Sequence, residues 1–169
     1  RLTPSSNTVS TTPSTPVAAP TVDATWQTYR NKVLNFTFQY PTKGKFAPSF
    51  NVKLVPLNSA EVKDGCYVVA DGIMQKKTLS NREFCRTTSK VSATGTSTDT
   101  EYWVTTYEKW HAVVTFTKKY TDISQTDACG MGTATTTRCQ PFDLQAYRAQ
   151  VEQIIMTFVN ASTTPAQQP

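Results

Sequence analysis

The sequence predicts an α+β fold in which a long C-terminal helix packs on an antiparallel β-sheet. Aromatic and polar residues alternate over Phe36–Tyr40, which is the period-two pattern of a half-buried strand. Two further runs, Glu101–Tyr107 and His111–Tyr120, form the clearest hairpin candidate, and in the second run Ala112, Val114 and Phe116 recur at alternate positions. After Asp143, apolar residues recur every three or four positions, which indicates an amphipathic helix with one face on the sheet.

Length and composition predict one globular domain between two polar segments. The chain has 169 residues, of which 38% are hydrophobic. Residues 1–22 are dominated by Ser, Thr and Pro and contain no aromatic residue, so we expect a disordered, extended spacer. All Phe, Tyr and Trp residues fall within residues 23–160, the predicted globular domain, and residues 161–169 form a polar C-terminal tail.

The N-terminal half of the domain contains short strand candidates. They are Trp26–Arg30, Phe36–Tyr40, Phe50–Val55 and Cys66–Ala70. Pro41 ends the second candidate, because proline has no N–H to give to a neighbouring strand. Between the third and the fourth, Ser59–Asp64 is predicted to form one helical turn that ends at Gly65.

The C-terminal half combines a hairpin, a long loop and the helix. Thr78–Cys85 is compatible with either helix or strand, and Thr87–Thr100 is predicted to form strand ends around an exposed turn near Gly95. Asp122–Gln140 is predicted to be a loop, and Asp143 is a suitable N-cap for the helix that follows. The apolar stripe of this helix consists of Leu144, Tyr147, Val151, Ile154, Ile155 and Phe158.

The sequence contains four cysteines, and this even number favours two disulfide bonds in an oxidising compartment. Three connectivities are open, and we favour Cys66–Cys85 and Cys129–Cys139 because each closes a local loop. The alternative is free buried cysteines in a cytosolic protein. A zinc site is disfavoured because the spacing contains no Cys-x-x-Cys pair and His111 is the single histidine. No metal or cofactor is therefore predicted.

Catalytic and membrane-spanning motifs are absent from the sequence. A Ser-His-Asp or Cys-His catalyst would have to use His111, with Glu108 as a nearby carboxylate. No Gly-x-Ser-x-Gly elbow, phosphate loop or His-Glu-x-x-His motif occurs. No run of 18 apolar residues occurs either. No catalytic residue is assigned, and a non-enzymatic role is favoured without excluding an enzyme.

Aromatic and basic residues supply a candidate binding surface. Trp103 and Tyr102 point to opposite faces of one strand, so one of them lies off the core face unless both faces are covered. The net charge is +5, and basic residues cluster near the start of the domain. A polyanion or a lipid headgroup would suit such a surface, and an ordinary solvated surface is the alternative. The candidate residues are Trp103, Trp110, His111, Lys43 and Lys45.

Both ends of the predicted domain resemble the PsbP-like domains of bacterial surface lipoproteins. The resemblance rests on Trp26-x-x-Tyr29-x-Asn31, on Phe36-x-Phe38-x-Tyr40-Pro41, and on the ending Ile154-Ile155-Met156-Thr157-Phe158. It implies an antiparallel sheet flanked by helices on both faces, an α/β/α sandwich, in an extracytoplasmic and mostly non-catalytic protein. The sequence departs from the family after Pro41, where the family often has Trp three residues further on, and in the Cys129–Cys139 segment.

These observations favour a non-catalytic extracytoplasmic domain, secreted or tethered to the cell surface, that binds or assembles with an extracellular partner. A cell-wall polymer, a surface protein or an anionic surface would be the partner. Specific nucleic-acid binding is not expected, and membrane contact would require a tether outside this sequence. Two alternatives remain open at this point: a hydrolase that uses His111 with a nearby carboxylate, and a polyanion-binding module.

Overall fold

A computed structural model describes residues 25–93, 95–121 and 141–160. These residues form ten strands and one helix. In chain order they are β1 (Trp26–Asn31), β2 (Phe36–Pro41), β3 (Ser49–Pro56), β4 (Val62–Lys63), β5 (Cys66–Tyr67), β6 (Ile73–Leu79), β7 (Arg82–Ala93), β8 (Thr96–Thr106), β9 (Trp110–Thr121), α1 (Leu144–Met156) and β10 (Val159–Asn160). The predicted spacer, the whole of the predicted 122–140 loop and the C-terminal tail lie outside the described residues.

The centre of the fold is a five-stranded antiparallel sheet in the order β3-β9-β8-β7-β6. Strands β7, β8 and β9 are consecutive in sequence and pair as a meander, with Trp103 opposite Val114 and Arg86. The predicted hairpin is confirmed and is longer than predicted. The turn at Gly95 is also confirmed, with φ at +71°.

One face of the five-stranded sheet is covered by α1 and by a smaller antiparallel sheet in the order β1-β2-β10. Phe36 and Phe38 on β2 are fully buried, as the alternating pattern predicted. Phe158, just after α1, stacks on Phe36 with a centroid separation of 4.5 Å. Four members of the predicted helix stripe, Tyr147, Val151, Ile154 and Ile155, are buried in this main core, whereas Phe158 lies beyond the end of α1.

The opposite face of the sheet carries a smaller second core beneath β4 and β5. Val104 and Val113 from the sheet pack there with Val55 and Val62. Tyr67 on β5 stacks on Tyr102 with ring centroids 4.5 Å apart. The side chains of Tyr102 and Trp103 therefore both have a covering layer, on opposite faces of one strand.

The predicted α+β architecture is wrong. Strands contain 59% of the described residues and helix 11%, so the fold is mainly β with one short helix. The second face is covered by β4 and β5 rather than by a helical layer, so the described residues do not form an α/β/α sandwich. The helix expected to be long has 13 residues.

Two short segments differ from the secondary structure predicted for them or have an ambiguous prediction, and the cause is local in each. Ser59–Asp64 contains no helical turn; its last residues begin the β4–β5 hairpin. The ambiguous Thr78–Cys85 segment is a β-hairpin whose turn residues, Ser80 and Asn81, have φ of +49° and +59°. This turn lacks the glycine that usually marks such a conformation, so its sequence signal is weak.

Asp143 caps α1 as predicted, because its Oδ1 accepts a hydrogen bond from the Ala146 N–H at 2.8 Å. Replacing Asp143 by Ala should lower the free energy of unfolding by about 1 kcal/mol, since that N–H loses its partner. Urea denaturation measures this change. Asp143→Asn is the matched control and should keep most of the stability, and an equal loss in both variants would contradict a capping role.

Candidate functional site

Trp103 is not part of any surface. Its side chain is 0% exposed, beneath α1 and against the Phe84 ring. Its Nε1 donates a hydrogen bond to Glu101 Oε2 at 3.0 Å. The prediction of a surface role is wrong because β8 is the middle strand of its sheet and this position faces the main core.

His111 lies at the margin of the second core. It is 7% exposed, and its Nδ1 is 3.0 Å from the Thr106 hydroxyl on the paired strand. Glu108 is exposed in the β8–β9 turn. His111 is thus a strand residue that packs at the margin of the core and is hydrogen-bonded to its cross-strand neighbour.

Lys43 and Lys45 are exposed in the loop between β2 and β3, far from Trp110. Ser49, at the start of β3, pairs with Thr117, seven residues along β9 from Trp110. At the rise of a β-strand this separation is about 23 Å. The structure therefore does not bring the predicted surface residues together: two lysines lie at one end of the sheet and Trp110 at the other.

At the Trp110 end, two turns converge and form a shallow groove of about 390 Å³. Its lining residues, which we call the Trp110 surface, are Val33, Leu34, Asn35, Tyr107, Glu108, Lys109 and Trp110. Val33 is 71% exposed and the Trp110 side chain is 36% exposed. An exposed indole beside an exposed aliphatic side chain is typical of a binding surface.

The β1–β2 turn holds Val33 in this exposed position. Asn31 Oδ1 accepts hydrogen bonds from the Val33 and Leu34 N–H groups at 3.1 and 3.0 Å. Asn35 then adopts φ of +50°, a conformation that asparagine tolerates better than most residues. The turn is therefore held by side-chain bonds to the backbone, and it projects its apolar residue into solvent.

Tyr107 forms the inner wall of the groove. Its hydroxyl donates to Asn160 Oδ1 at 3.0 Å, and the Arg82 guanidinium lies 4.6 Å from the ring centroid. Burial raises the pKa of Tyr107 to about 12. The ring is therefore a fixed, neutral hydrogen-bonding group throughout the physiological range of pH.

A buried ion-pair network lies beneath α1, and it was not predicted. Asp99 and Glu101 on β8 are both fully buried. Arg86 binds Glu101 through two hydrogen bonds of 2.9 Å, and Arg148 on α1 binds Asp99 at 2.7 Å. Burial raises the pKa of Glu101, and Arg86 opposes that shift. Each carboxylate already has a guanidinium partner, so the network connects the helix to the sheet.

Cys66 and Cys85 form a disulfide bond, which confirms the first predicted pair. The bond joins β5 to β7 and so fastens the layer that covers the second core. Beside it lies a polar cleft of about 530 Å³ with charges of both signs on its walls, from Asp64, Lys76, Arg82 and Glu83. Cys129 and Cys139 lie outside the described residues.

Within the described ranges, no group of three or more His, Cys, Asp or Glu side chains is arranged to hold a metal ion. In the same part of the chain, no helix is both long and apolar enough to cross a membrane.

Comparison with known proteins adds little. No protein-family model and no curated protein matches the chain. Among solved structures, it is similar to a Bacteroides thetaiotaomicron VPI-5482 protein whose crystal structure was determined at 1.50 Å resolution. The identity is 12% and the TM-score is 0.40, over 83% of this chain and 43% of that one. A likeness of this extent carries no argument about function, and the PsbP-like resemblance stays a prediction.

The Trp110 surface contains only one of the sequence-predicted residues. Two members of this surface that the sequence did not predict, Val33 and Tyr107, come from turns that are more than seventy residues apart in sequence. A weak signal for the first turn exists in Asn31 and Asn35, because Asx side chains favour turns. No local pattern indicates that this turn meets the β8–β9 turn.

Proposed function

We propose that this chain is a non-catalytic, extracytoplasmic binding domain that meets its ligand through the Trp110 surface. The observation that carries the proposal is the exposed indole of Trp110 beside the exposed Val33 side chain, in a groove whose wall is fixed. Soluble domains seldom expose neighbouring large apolar side chains unless another molecule covers them.

The Cys66–Cys85 bond supports the extracytoplasmic location that we propose. Disulfide bonds form and persist outside the cytosol, and they are rare in cytosolic proteins. The PsbP-like resemblance, which implies an extracytoplasmic protein, agrees with this proposal.

The chemistry of the groove favours a glycan of the cell surface. The C–H face of a sugar ring packs against an aromatic ring, while hydroxyl groups need polar partners at the rim. Asn35, Glu108 and Lys109 place amide, carboxylate and ammonium groups around Trp110. A protein partner with an apolar anchor is the other candidate for the same surface.

The hydrolase alternative has no supporting observation among the described residues. His111 pairs with Thr106 and faces the second core, and the buried carboxylates beneath α1 are neutralised by arginines. The function that the geometry supports best is therefore binding.

Replacing Trp110 by Ala should weaken glycan binding about 30-fold, because an exposed aromatic anchor contributes about 2 kcal/mol at a binding surface. The measurement is binding of the full chain to an array of purified wall polysaccharides and peptidoglycan fragments. Ile73→Ala is the matched control, since Ile73 is equally apolar and 73% exposed but lies on β6. It should bind like the unmodified chain.

Two results would count against this proposal. One is binding that Trp110→Ala leaves unchanged, which would move the site elsewhere. The other is no binding to any glycan, together with no cross-linking to a cell-surface protein from a photoreactive residue at position 33. Cross-linking without glycan binding would keep the surface and replace the glycan by a protein partner.

A further inference from the structure

The opposite end of the sheet carries a second cluster, made of lysines placed over aromatic rings. Phe142, just before α1, stacks on Tyr120 with a centroid separation of 4.6 Å and lies 5.8 Å from the Phe46 ring. The three rings thus form one continuous group. We call these rings, with the lysines described next, the lysine–aromatic cluster.

Each ring has an ammonium group near its face. Lys45 Nζ lies 5.4 Å from the Phe46 centroid and Lys118 Nζ lies 6.0 Å from that of Phe142. Lys90 Nζ lies 5.8 Å from the Tyr120 centroid. Distances of this size are those of cation–π contacts. Lys43 is exposed two residues before Lys45 and adds a further positive charge to this end of the molecule.

Strand geometry explains why these residues meet. Lys118 and Tyr120 are two positions apart on β9 and so share a face. Asp99 on β8 pairs with Lys118 on one side and with Lys90 on the other, which places the two lysines in one row across three strands. At the usual spacing of strands, their backbones are about 10 Å apart.

Two carboxylates near the cluster, both in the described part of the chain, have other partners. Asp99 is fully buried and is bound by Arg148 at 2.7 Å. Asp143 accepts the capping hydrogen bond from the Ala146 N–H. In the described part of the chain, neither Lys43 nor Lys45 lies within ion-pair distance of a carboxylate. Lys43 and Lys45 therefore bring positive charge to this end of the sheet.

We propose that the lysine–aromatic cluster binds an anionic polymer that carries repeated phosphate groups. A lysine ammonium is a compact charge that binds phosphate without needing a fixed geometry. Lysine charges at this end of the sheet engage successive phosphates, and each contact releases counterions from the polymer. The rings hold the ammonium groups in place, which reduces the side-chain entropy that binding removes.

A polymer fits this surface better than a bilayer does. Peripheral membrane binding by a basic surface is usually accompanied by exposed apolar side chains that enter the lipid. Here the rings of Phe46, Tyr120 and Phe142 are only half exposed, because they pack on one another. Among the most exposed apolar side chains of the described residues, Val33 and Ile73 lie elsewhere on the molecule, and Val91, which follows Lys90 on β7, points to the opposite face of the sheet.

The test measures binding of the full chain to biotinylated long-chain polyphosphate over a range of salt concentrations. The double variant Lys45→Gln/Lys118→Gln should bind at least about 10-fold more weakly at about 50 mM salt. The slope of log affinity against log salt should become shallower by about 1.4, the value for two lost contacts on a single-stranded polyanion.

Three controls make the outcome decisive. Lys32→Gln/Lys63→Gln removes the same charge from exposed lysines elsewhere and should change affinity less than about 2-fold. Lys45→Arg/Lys118→Arg keeps the charge and should keep binding, which separates a lost contact from a lost fold. Trp110→Ala should leave polyphosphate binding unchanged, so failure here and failure of the proposed glycan site are distinguishable.

The proposal is overturned if both Gln pairs weaken binding equally, since net charge alone would then explain it. It is also overturned if the chain binds vesicles of anionic phosphatidylglycerol and not polyphosphate, which would assign the cluster to membranes. Binding that does not depend on salt, or no binding to polyphosphate at all, would remove it as well.

Discussion

Arg86→Met should lower the free energy of unfolding by about 3–5 kcal/mol, the largest effect that we expect from a change in charge. Arg86 makes both of its 2.9 Å hydrogen bonds to Glu101, whose side chain is fully buried. Without the guanidinium, an ionised carboxylate would remain in the core beside Trp103. Chemical denaturation at pH 7 measures the loss.

The loss of unfolding free energy caused by Arg86→Met should become smaller as the pH is lowered. Burial raises the pKa of Glu101 above its ordinary value of 4.5, and removing Arg86 takes away the strongest of the contacts that oppose this shift. A carboxyl with a raised pKa in the folded state binds its proton more tightly there than in the unfolded chain, so acid favours folding at this group. Stability curves from pH 7 downwards test the sign, and a deficit that grows in acid would contradict it.

A matched double variant tests whether the unpaired charge causes the loss. Arg86→Met/Glu101→Gln removes both charges and keeps an oxygen to accept the Trp103 Nε1 hydrogen bond. It should recover most of the stability, because replacing both members of a buried pair costs much less than removing one. A double variant as unstable as Arg86→Met would assign the effect to lost packing of the arginine instead.

Cys66→Ala/Cys85→Ala should lower the free energy of unfolding by about 3 kcal/mol. The two cysteines are separated by 19 residues, and in the chain-entropy treatment a loop of this size restricts the unfolded chain by that amount. The bond also fastens β5 over the second core, where Tyr67 stacks on Tyr102. Urea denaturation with comparison of midpoints and slopes is the measurement, and the slope should rise because the unfolded chain becomes less compact.

Single variants provide the control for this bond. Cys66→Ala and Cys85→Ala should each lose nearly as much stability as the double variant, because either change already breaks the link. Effects that add up independently would show that packing, and not the bond, is responsible.

Much of the secondary structure follows from the sequence. The alternation over Phe36–Tyr40 and along β9 predicts strands and their faces, since successive side chains of a strand point to opposite sides. The apolar stripe and the Asp143 cap likewise predict α1. The Cys66–Cys85 pairing, favoured because it closes a local loop, is also confirmed. These features depend on residues that are near one another in the chain.

The layers and the surfaces were decided by tertiary structure. Nothing near Trp103 indicates that its strand is the middle one of five, with α1 on one face and β4–β5 on the other. The same holds for Val33 meeting Trp110, and for Lys90 and Lys118 lying over the rings of Tyr120 and Phe142 from other segments. Periodicity records which side chains share a face, but strand order and register, set by distant pairings, determine what covers that face.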